Sequence, residues 1–471
     1  MDMIVSYIKQ IIGFLCALLW GDLVTIPLPG GSSLGLSLMV MILVPSGIYF
    51  SIRTGLVLIR FFPEMLRITT EKKASNDKNS LSGFQALIVS TATRVGMGNL
   101  VGVVAAISAG GAGAVFWMWL MAILGSSTAF IEATLAQIYK AKDPLYGGYK
   151  GGPAYYLHAL FTRKNPARKR SVIAVLFALS GLICWGGISQ VISNSVSSAF
   201  DSAFGIPPLY STIALVAISA VIVLRKNTTV KVLDIVVPIM AAIYFVLTIV
   251  IILMNLPQLP EVFSRIFTEA FGLRQVVAGG FGAVVMNGAK RGLFSNEAGS
   301  GSAPCAAAAA DIDHPAKAGL LQAFGVFVDT IVICTCTAMI ILLTPASASG
   351  TLEGMPLLEA AMAHHLGQFG VIFIAIVLWL FSFSTFLGVL FYARSNVSYI
   401  FGDGWKSQTI YKIIALVMLF IGGLATYTFV WDLGDVGIGL MTVFNMIALF
   451  PMAKEALASL KEYQQIMKNR N

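Results

Sequence analysis

Charge is scarce in this chain. Asp, Glu, Lys and Arg together make up 11% of its 471 residues, whereas apolar residues make up 57%. A soluble domain carries roughly 25% charged residues, and the mean hydropathy here is +0.83. This composition excludes a soluble globular protein and predicts an integral membrane protein with most of its mass in helices.

Clusters of chemically reactive side chains are scarce as well. The five cysteines lie among apolar or small residues and are predicted to be packing residues. The four histidines are scattered and form no metal set. A membrane-embedded transferase would need a His/Asp or paired-carboxylate constellation. Only a weak version of one is present, at Glu297, Asp311, Asp313 and His314. The sequence therefore predicts neither an enzyme nor a bound cofactor.

Long apolar runs are what the chain has in abundance. A spanning helix needs ~20 mostly apolar residues. About eleven such runs are present, at residues 34–61, 82–108, 113–139, 171–199, 209–224, 231–254, 272–295, 318–343, 369–393, 409–428 and 433–453. Residues 1–33 precede them and are interrupted by Ser6, Lys9 and Gln10. This pattern favours an amphipathic helix lying at the membrane interface, followed by an extra first span at 34–61.

Basic residues occupy every second loop between these runs. The set comprises Arg67, Lys72, Lys73, Lys78, Lys140, Lys142, Lys150, Arg163, Lys164, Arg168, Lys169, Arg170, Arg225, Lys226, Lys231, Lys290, Arg291, Lys317, Arg394, Lys406, Lys454, Lys461, Lys468 and Arg470. Because Lys and Arg are enriched in cytoplasmic loops, the N-terminus is predicted to lie outside the inner (plasma) membrane and the C-terminus inside. The net charge of +9 is then a topology signal, and no nucleic-acid partner is expected.

Without the run at 34–61, ten predicted spans remain. They divide into two sets of five, at residues 82–254 and 255–453, and a cytoplasmic tail follows at 454–471. The first set starts inside and the second starts outside. Equal numbers of spans with opposite starting sides are the hallmark of an inverted-topology repeat.

The first span of each set contains glycines that would interrupt a helix. The interruptions are Arg94-Val95-Gly96-Met97-Gly98-Asn99 in the first set, and Gly279-Gly280-Phe281-Gly282 with Asn287-Gly288 in the second. Glycine-interrupted segments in corresponding positions point to a transporter binding site, because unwound backbone offers N–H groups to a carboxylate and carbonyls to a cation. The alternative is that these glycines only allow close helix packing. A Ser-x-x-Gln capping box at Ser82 and Gln85 starts the first of these helices, which puts its break near the middle of the bilayer.

Several stretches carry a resemblance to a known family. They are residues 93–107 continued by 110–119, residues 290–302, His314-Pro315 with residues 327–330, and residues 381–385. In this order they resemble the signatures of the alanine/glycine:cation symporters, the sodium:alanine symporters of the APC superfamily. The resemblance implies an all-α polytopic protein whose last ten helices form the LeuT-type fold, with broken first and sixth core helices. It also implies inward transport of a small neutral amino acid with Na⁺. Two positions depart from the family pattern: Met97 stands where threonine is usual, and Ala112 where proline is usual.

A sodium site is expected at two adjacent hydroxyl residues, Ser384 and Thr385, with the carbonyl of Phe381 one turn earlier. Hard oxygen ligands of this kind suit the ion. By fold analogy with the neurotransmitter:sodium symporters, which share the Val-Gly-x-Gly-Asn pattern, the facing carbonyls would be those of Ala92 and Val95. The alternative is that each hydroxyl only bonds back to its own helical turn.

The substrate site is expected around the first break. Its carboxylate would meet the N–H groups of Gly96, Met97 and Gly98. The resemblance extends to Gln190, expected at the substrate amine, and to Asn194, which shares its helix face. Both amides could instead be contacts between helices. The other candidate residues around the substrate are Thr93, Asn99, Phe281, Met286 and Trp379.

Arg94 is a charge inside an apolar span and therefore needs a partner. The candidate partners are the acids in or at the edge of spans, Glu132, Glu297 and Asp329. The favoured interpretation is an ion pair that holds the broken helix and acts as a gate. Direct binding of the substrate carboxylate is the alternative. Glu132 and Asp329 are also candidate proton carriers.

These patterns predict a secondary active transporter that imports a small neutral amino acid of the alanine or glycine type by sodium symport, through alternating access. Its partners would be the amino acid, Na⁺ and the lipid bilayer. A proton-coupled or facilitative carrier for another small amino acid, such as serine or glutamine, is the main alternative. A channel would normally assemble its filter by oligomeric symmetry, whereas this chain contains its own pair of repeats.

Overall fold

A computed structural model describes residues 2–27, 33–74, 80–163, 168–225, 228–272, 280–345, 352, 354–425 and 427–470, and these residues are mostly helical. The first half of the chain contains α1 (Asp2–Trp20), β1 (Val24–Pro27), β2 (Ser33–Leu36), α2 (Leu38–Thr54), α3 (Val57–Arg60), α4 (Phe62–Thr69), α5 (Gly83–Arg94), a π-helical turn (Gly98–Gly102), α6 (Val103–Gly110), α7 (Gly113–Ile138), β3 (Ala141–Lys142), β4 (Tyr149–Lys150), α8 (Pro153–Thr162), α9 (Val172–Phe204) and α10 (Pro208–Val223).

The second half contains α11 (Thr228–Met254), a 3₁₀ turn (Leu256–Gln258), α12 (Leu259–Ala270), α13 (Gly280–Asn296), α14 (Pro304–Ala307), α15 (Pro315–Val326), a second π-helical stretch (Phe327–Cys334), α16 (Thr335–Leu342), α17 (Met355–Phe401), α18 (Trp405–Leu424) and α19 (Tyr427–Arg470). β1 and β2 form an antiparallel hairpin, as do β3 and β4. α17 bends sharply at Gly367, whose φ is +61°.

Eight helical stretches within the described residues are long and apolar enough to cross a membrane, and α5 with the half-helix that follows it forms a ninth, broken span. The sequence predicted about eleven. Two of the predicted runs form shorter helices, α10 with 16 residues and α13 with 17.

The first span begins later than predicted. β2 occupies Ser33–Leu36, so the helix starts at Leu38 rather than at residue 34. Ser37 caps it, because its Oγ accepts a hydrogen bond of 3.3 Å from the N–H of Val40, which satisfies one of the unpaired donors of the first turn.

The N-terminal segment does more than lie at an interface, because α1 packs against the start of α19. The indole N–H of Trp20 donates to the backbone carbonyl of Asp435 at 2.9 Å. Leu19 is buried at the same contact, where a Cβ added to Gly439 would lie 2.9 Å from its Cδ1. The predicted amphipathic helix is therefore part of the folded core.

The first predicted break is present. α5 ends at Arg94, the next helical segment begins at Gly98, and the two half-helices are bent by 51°. The capping box at the start of α5 is also confirmed, since Ser82 Oγ accepts from the Gln85 N–H and Gln85 Oε1 accepts from the Ser82 N–H, both at 3.0 Å.

The second break lies elsewhere than predicted. Gly282 and Gly288 are inside the continuous helix α13, and Gly279 lies outside the described residues. These glycines serve close packing, because an added Cβ would lie 2.1 Å from the Ser33 carbonyl oxygen at Gly282 and 2.5 Å from that of Ala114 at Gly288. The alternative interpretation, packing rather than unwinding, is correct for them.

The actual break follows Asn296. Glu297, Gly299 and Gly301 have φ values of +55°, +88° and +80°, in the left-handed region that ends a right-handed helix. A short turn of helix, α14, follows. The second broken span is thus interrupted over residues 297–303.

Two basic residues also lie elsewhere than predicted. Lys290 and Arg291 were expected in a cytoplasmic loop, but both lie inside α13, ahead of the break. Lys290 Nζ pairs with Asp435 Oδ2 at 3.3 Å and lies 5.3 Å from the centre of the Trp20 indole ring. Both residues therefore lie in a helix rather than in a loop between helices.

Candidate functional site

The first break exposes the beginning of a half-helix. Val95 has φ −74° and ψ 79°, which turns its peptide out of the helical ladder. The Gly96 N–H is then satisfied locally by the Arg94 carbonyl at 2.9 Å and by Asn99 Oδ1 at 2.8 Å. The segment starting at Gly98 has no side-chain cap on its N-terminus. Such an end carries partial positive charge and unpaired N–H groups, and both favour an anion.

The predicted sodium ligands lie against this break. Thr385 Oγ1 is 2.8 Å from the Phe381 carbonyl oxygen and 3.2 Å from that of Ala92, so oxygens of α5 and α17 converge on one hydroxyl. Gly96 makes the approach possible, because an added Cβ there would lie 2.0 Å from Thr385 Oγ1. Val95, another predicted ligand, is the residue directly after α5 and precedes Gly96.

Ser384 is less central than its neighbour. Its Oγ donates to the Phe381 carbonyl at 2.9 Å and approaches Met240 Sδ on α11 at 3.7 Å. Both hydroxyls thus bond back to their own helical turn, but only Thr385 also reaches across to Ala92.

The two breaks touch each other. An added Cβ on Gly98 would lie 3.5 Å from Ser295 Cα, close to the end of α13. Thr93 Oγ1 lies 2.7 Å from the Tyr392 hydroxyl and 3.4 Å from Glu297 Oε2. One compact region of the protein therefore holds both unwound segments.

Asp329, which lies in the π-helical stretch after α15, connects the first break to α13. Its Oδ1 accepts from Asn99 Nδ2 at 2.7 Å, and its Oδ2 accepts from Ser295 Oγ at 3.0 Å and Thr330 Oγ1 at 2.6 Å. The side chain is fully buried, so these donors replace the water that the carboxylate loses. Asn99 consequently holds the break together from inside.

Glu132 and Glu297 belong to the second break. Glu132 on α7 accepts from the Gly299 N–H at 3.3 Å and from Asn445 Nδ2 at 2.9 Å. Asn445 also donates to the Gly299 carbonyl at 2.9 Å. Glu297 Oε2 accepts from Ser302 Oγ at 2.6 Å. Side chains from α7 and α19 thus support the unwound backbone.

Arg94 forms no ion pair within 4.0 Å to any described acid, contrary to the prediction. Its Nη1 donates instead to the side-chain Oε1 of Gln322 at 3.1 Å and approaches the Gln322 carbonyl at 3.3 Å. Room for the guanidinium exists because Gly325 has no side chain, and an added Cβ there would lie 2.6 Å from Nη1. Arg94 Nε and Nη2 are buried without a hydrogen-bond partner, although the charge lies close enough to Glu132, Glu297 and Asp329 to interact electrostatically.

The two amide side chains on α9, Asn194 and Gln190, differ in their hydrogen-bond partners. Asn194 Nδ2 donates to the Ala425 carbonyl at 2.8 Å, which ties α9 to the end of α18. Gln190 Nε2 contacts Met418 Sδ at 3.1 Å, while its Oε1 is buried and unpartnered. Next to Asn194, Ser195 Oγ contacts Met97 Sδ at 3.1 Å. Gln190 is therefore the amide whose acceptor is buried and unpartnered.

The three predicted wall residues lie on α13 and α17. Phe281 lies in the first turn of α13 and packs edge-on against Trp117, with 6.3 Å between ring centres. Met286 lies one turn or more further on, still about 15 Å from the break along the helix axis. Trp379 stacks on Phe383 at 5.3 Å.

Sequence reasoning missed the second break with its support Asn445, and two partners of the first break, Tyr392 and Gln322. A signal for the second break was present, because only Ala303 separates the run Gly299-Ser300-Gly301-Ser302 from Pro304. Small residues followed by proline are a typical end of a helix.

The helical architecture, with a broken span at the first break and unwound backbone after α13, defines a class of protein: a LeuT-type helical transporter. The solved structure of MhsT in complex with L-phenylalanine has the same fold, with a TM-score of 0.56 at 13% identity, covering 83% of this chain and 93% of that one.

The sequence comparisons are more specific. The pattern of the sodium:alanine symporter family matches residues 31–471, and the chain belongs to that family. Among its relatives is the probable sodium/glutamine symporter GlnT of Bacillus subtilis, 41% identical over 90% of this chain and 87% of that protein. The sodium/alanine symporter AgcS of Methanococcus maripaludis is 34% identical over 92% of this chain and 95% of that one. The chain is thus a multi-pass membrane protein from a family of symporters rather than of enzymes.

Proposed function

We propose that the protein imports a small neutral amino acid of the alanine or glycine type together with Na⁺, by alternating access, across the inner (plasma) membrane. The N-terminus is outside and the C-terminus is in the cytoplasm. The observation that carries the proposal is the uncapped half-helix starting at Gly98, placed directly beside the oxygens of Thr385, Phe381 and Ala92.

The amino acid binds with its carboxylate toward the N–H groups of Met97 and Gly98, where the helix end favours negative charge. The Gly96 N–H, which the sequence also suggested, already donates to Asn99 Oδ1. The substrate's ammonium group donates to Gln190 Oε1, a buried acceptor without a partner. An unmet acceptor is costly in the absence of a ligand, which supports a bound donor here. Thr93 and Asn99 shape the site from the two sides of the break.

Na⁺ binds between α5 and α17, with the carbonyls of Ala92, Val95 and Phe381 and the hydroxyls of Ser384 and Thr385 as ligands. The carbonyls of Ala92 and Val95 adjoin the break that holds the substrate. Because one unwound segment serves both ligands, binding of either organises the backbone for the other, which is a coupling free energy between the sites.

Glutamine is the second candidate substrate. A relative with 41% identity is named a probable sodium/glutamine symporter, and Met97 is a flexible side chain able to adapt to a longer substrate.

The test is uptake of radiolabelled alanine into proteoliposomes with an inward Na⁺ gradient, a K⁺ gradient or a proton gradient alone. Glycine, D-alanine, serine and glutamine are added as competitors. We expect accumulation above equilibrium only with Na⁺, abolished when the gradient is collapsed. Accumulation driven by a proton gradient alone would show that H⁺, rather than Na⁺, is the coupling ion. Equilibration without accumulation would contradict symport. Strong competition by glutamine with weak competition by glycine would favour the second candidate.

A further inference from the structure

Basic residues surround a cavity at the end of the helical bundle that is predicted to be cytoplasmic. The cavity has a volume of about 300 Å³, at the lower end of the range for small-molecule sites. It lies between the beginnings of α5 and α11, the end of α10, the β3–β4 turn, α17 and α18. One described lining residue is acidic, Asp234, whose Oδ2 accepts from Gln85 Nε2 at 2.7 Å. Five are basic and define a basic pocket: Lys73, Arg225, Lys231, Arg394 and Lys412.

Acids balance few of these positive charges. Arg394 Nη2 lies 3.3 Å from Asp143 Oδ2. Among the residues that the structure describes, no acidic oxygen lies within 4.0 Å of the charged nitrogens of Arg225, Lys231 or Lys412. Positive charges that share a cavity repel one another, so a bound anion lowers the energy of this arrangement.

Membrane topology alone does not explain where these charges lie. The enrichment of Lys and Arg in cytoplasmic loops accounts for basic residues between helices, but Arg394 and Lys412 lie within α17 and α18. The guanidinium carbon of Arg394 lies 4.2 Å from the centre of the Tyr146 ring and 4.5 Å from that of Phe391. Lys412 Nζ lies 5.8 Å from the same Tyr146 ring. Ring contacts position a cation without neutralising it, so they hold two of the charges in the pocket wall and leave them positive.

A phosphate group is the anion that fits this lining best. Arg and Lys bind phosphate through charge-assisted hydrogen bonds, and a phosphate monoester carries a charge of about −1.5 to −2 at pH 7. The excess of basic over acidic residues in the pocket is neutralised better by such a polyvalent anion than by a phospholipid diester with a single charge. A lipid headgroup is the other source of phosphate here, because Leu224 and Ile235, next to the pocket, are 52% and 63% exposed, as expected for side chains that face lipid.

The basic pocket lies along the two helices that carry the proposed sodium ligands. Leu390 lines the pocket five residues after Thr385 on α17, and Gln85 lines it seven residues before Ala92 on α5. At the usual rise of a helix, these separations are about 8 Å and about 10 Å along the axis. A ligand in the pocket therefore contacts the same helices as the central site.

We propose that the basic pocket is a regulatory site for a soluble, polyvalent phosphate compound of the cytoplasm, such as a phosphate monoester or a diphosphate. The basic residues come from the junction of α10 and α11, from α17 and from α18, so one bound anion joins these elements. Alternating access requires elements on the cytoplasmic side to move apart, and the bound anion resists that separation. The ligand therefore slows transport without competing for the central site. Its effect on transport rests on the proposed function, whereas its binding does not.

The first test is equilibrium binding of radiolabelled inorganic pyrophosphate to the purified full-length protein, in detergent and without Mg²⁺. We expect one pyrophosphate per chain. Lys231→Gln removes an exposed charge that has no acidic partner among the described residues, and loss of this charge-assisted contact is expected to raise the Kd about tenfold. The matched control is Lys406→Gln, which removes an exposed positive charge at the start of α18, outside the described lining, and should leave the Kd unchanged.

The second test measures Na⁺-driven alanine uptake into proteoliposomes that enclose pyrophosphate. We expect the maximal rate to fall severalfold in the native protein and in Lys406→Gln, without relief by saturating external alanine. Lys231→Gln should need about ten times more pyrophosphate for the same inhibition. An unchanged rate at concentrations that saturate binding would overturn the regulatory role. Absence of Na⁺-driven uptake without pyrophosphate would instead contradict the proposed function and leave the binding result standing.

A lipid headgroup in the pocket would give a different pattern. No binding of pyrophosphate, or equal binding to the native protein and to Lys231→Gln, would overturn the pocket as its site. If phosphatidylglycerol then raises the Tm of the native protein but not that of Lys231→Gln, the pocket holds a lipid headgroup and the soluble ligand is wrong. Should Lys231→Gln fail to reach the membrane, Arg225→Gln removes another exposed charge from the same pocket and is expected to raise the Kd in the same way.

Discussion

The two broken spans achieve their breaks by different means. The first is short, none of its residues has a left-handed φ, and its own Asn99 side chain accepts from the Gly96 N–H and donates to Asp329. The second needs three left-handed residues, and its backbone is bonded directly by Glu132 and Asn445 from other helices. The inverted repeat therefore matches in position but not in construction.

The two breaks also differ in the charge that they present. The first break presents the positive beginning of a half-helix, whereas the second follows the negative end of α13 and adds the carboxylate of Glu297. A zwitterion is expected to point its carboxylate at the first break and its ammonium group at Gln190 Oε1. The first break is therefore the one expected to bind the carboxylate.

The largest effect is expected from Gly96→Ala in the first break. An added Cβ would overlap Thr385 Oγ1 at 2.0 Å, so helix and hydroxyl must separate and the ion ligands disperse. We expect Na⁺-driven uptake to be lost while the protein still inserts. Gly102→Ala is the matched control, because nothing lies within 4 Å of its added Cβ, and it should transport normally. Equal activity of the two variants would show that the close approach at Gly96 is unnecessary.

The hydroxyl pair offers the next sharpest comparison. Thr385→Val removes the oxygen that reaches both Ala92 and Phe381, whereas Ser384→Ala removes one that reaches Phe381 alone. We expect the Na⁺ concentration for half-maximal uptake to rise about tenfold or more for Thr385→Val, corresponding to one lost ligand contact. The rise for Ser384→Ala should be smaller. A reversed order would move the ion site toward α11.

Substitutions in the second break are expected to lower the stability of the protein more than they change its transport. Gly301→Ala combines a left-handed φ with contacts of 2.6 Å to Pro153 Cγ, so a destabilisation of about 2 kcal/mol or more is expected. Gly402→Ala has a similar φ of +83° but open space, and should cost only the backbone strain. Gly98→Ala in the first break should leave the Tm nearly unchanged. Thermal unfolding in detergent measures all three, and equal shifts would contradict the distinction.

The smallest effect concerns His314, just after the second break. Burial lowers its pKa below the usual value, outweighing Glu462 and Asp313 nearby, and its Nδ1 accepts from the Ala316 N–H at 3.2 Å. The unfolded chain therefore binds the proton more readily, so stability is lost as pH falls through and below the ordinary histidine range. We expect a slight drop in Tm between pH 7 and pH 5.5 that His314→Gln reduces. An identical drop in both proteins would assign it to other groups.

The first break and the second differed in how well the sequence predicted them. Gly96 and Gly98 stand beside a charged and an amide residue in an apolar run, which favoured a break over close packing. Gly282 and Gly288 have the same composition around them, but their purpose is contact with Ser33 and Ala114, which are distant in sequence. Packing of that kind depends on the tertiary structure, so periodicity and composition could not separate the two uses of glycine.

The residues around Arg94 show a second limit. Charge alone suggested an acidic partner, and three acids were available in the sequence. The structure places a neutral amide, Gln322, against the guanidinium instead. By contrast, the association of Thr385 with Phe381 and Ala92 followed from the hydroxyl pair and the family resemblance, since helix spacing sets one contact and the shared fold the other.

One long helix has a mechanical consequence. α19 runs without interruption from Tyr427 to Arg470, about 66 Å at the usual rise. Near one end Trp431 contacts Arg291, and near the other Tyr463 bonds to Glu64 in α4. A displacement at one end of α19 is therefore transmitted to the other end along a single helix rather than through loops. Pro451 has no backbone N–H to bond to the preceding turn, so the helix can bend there.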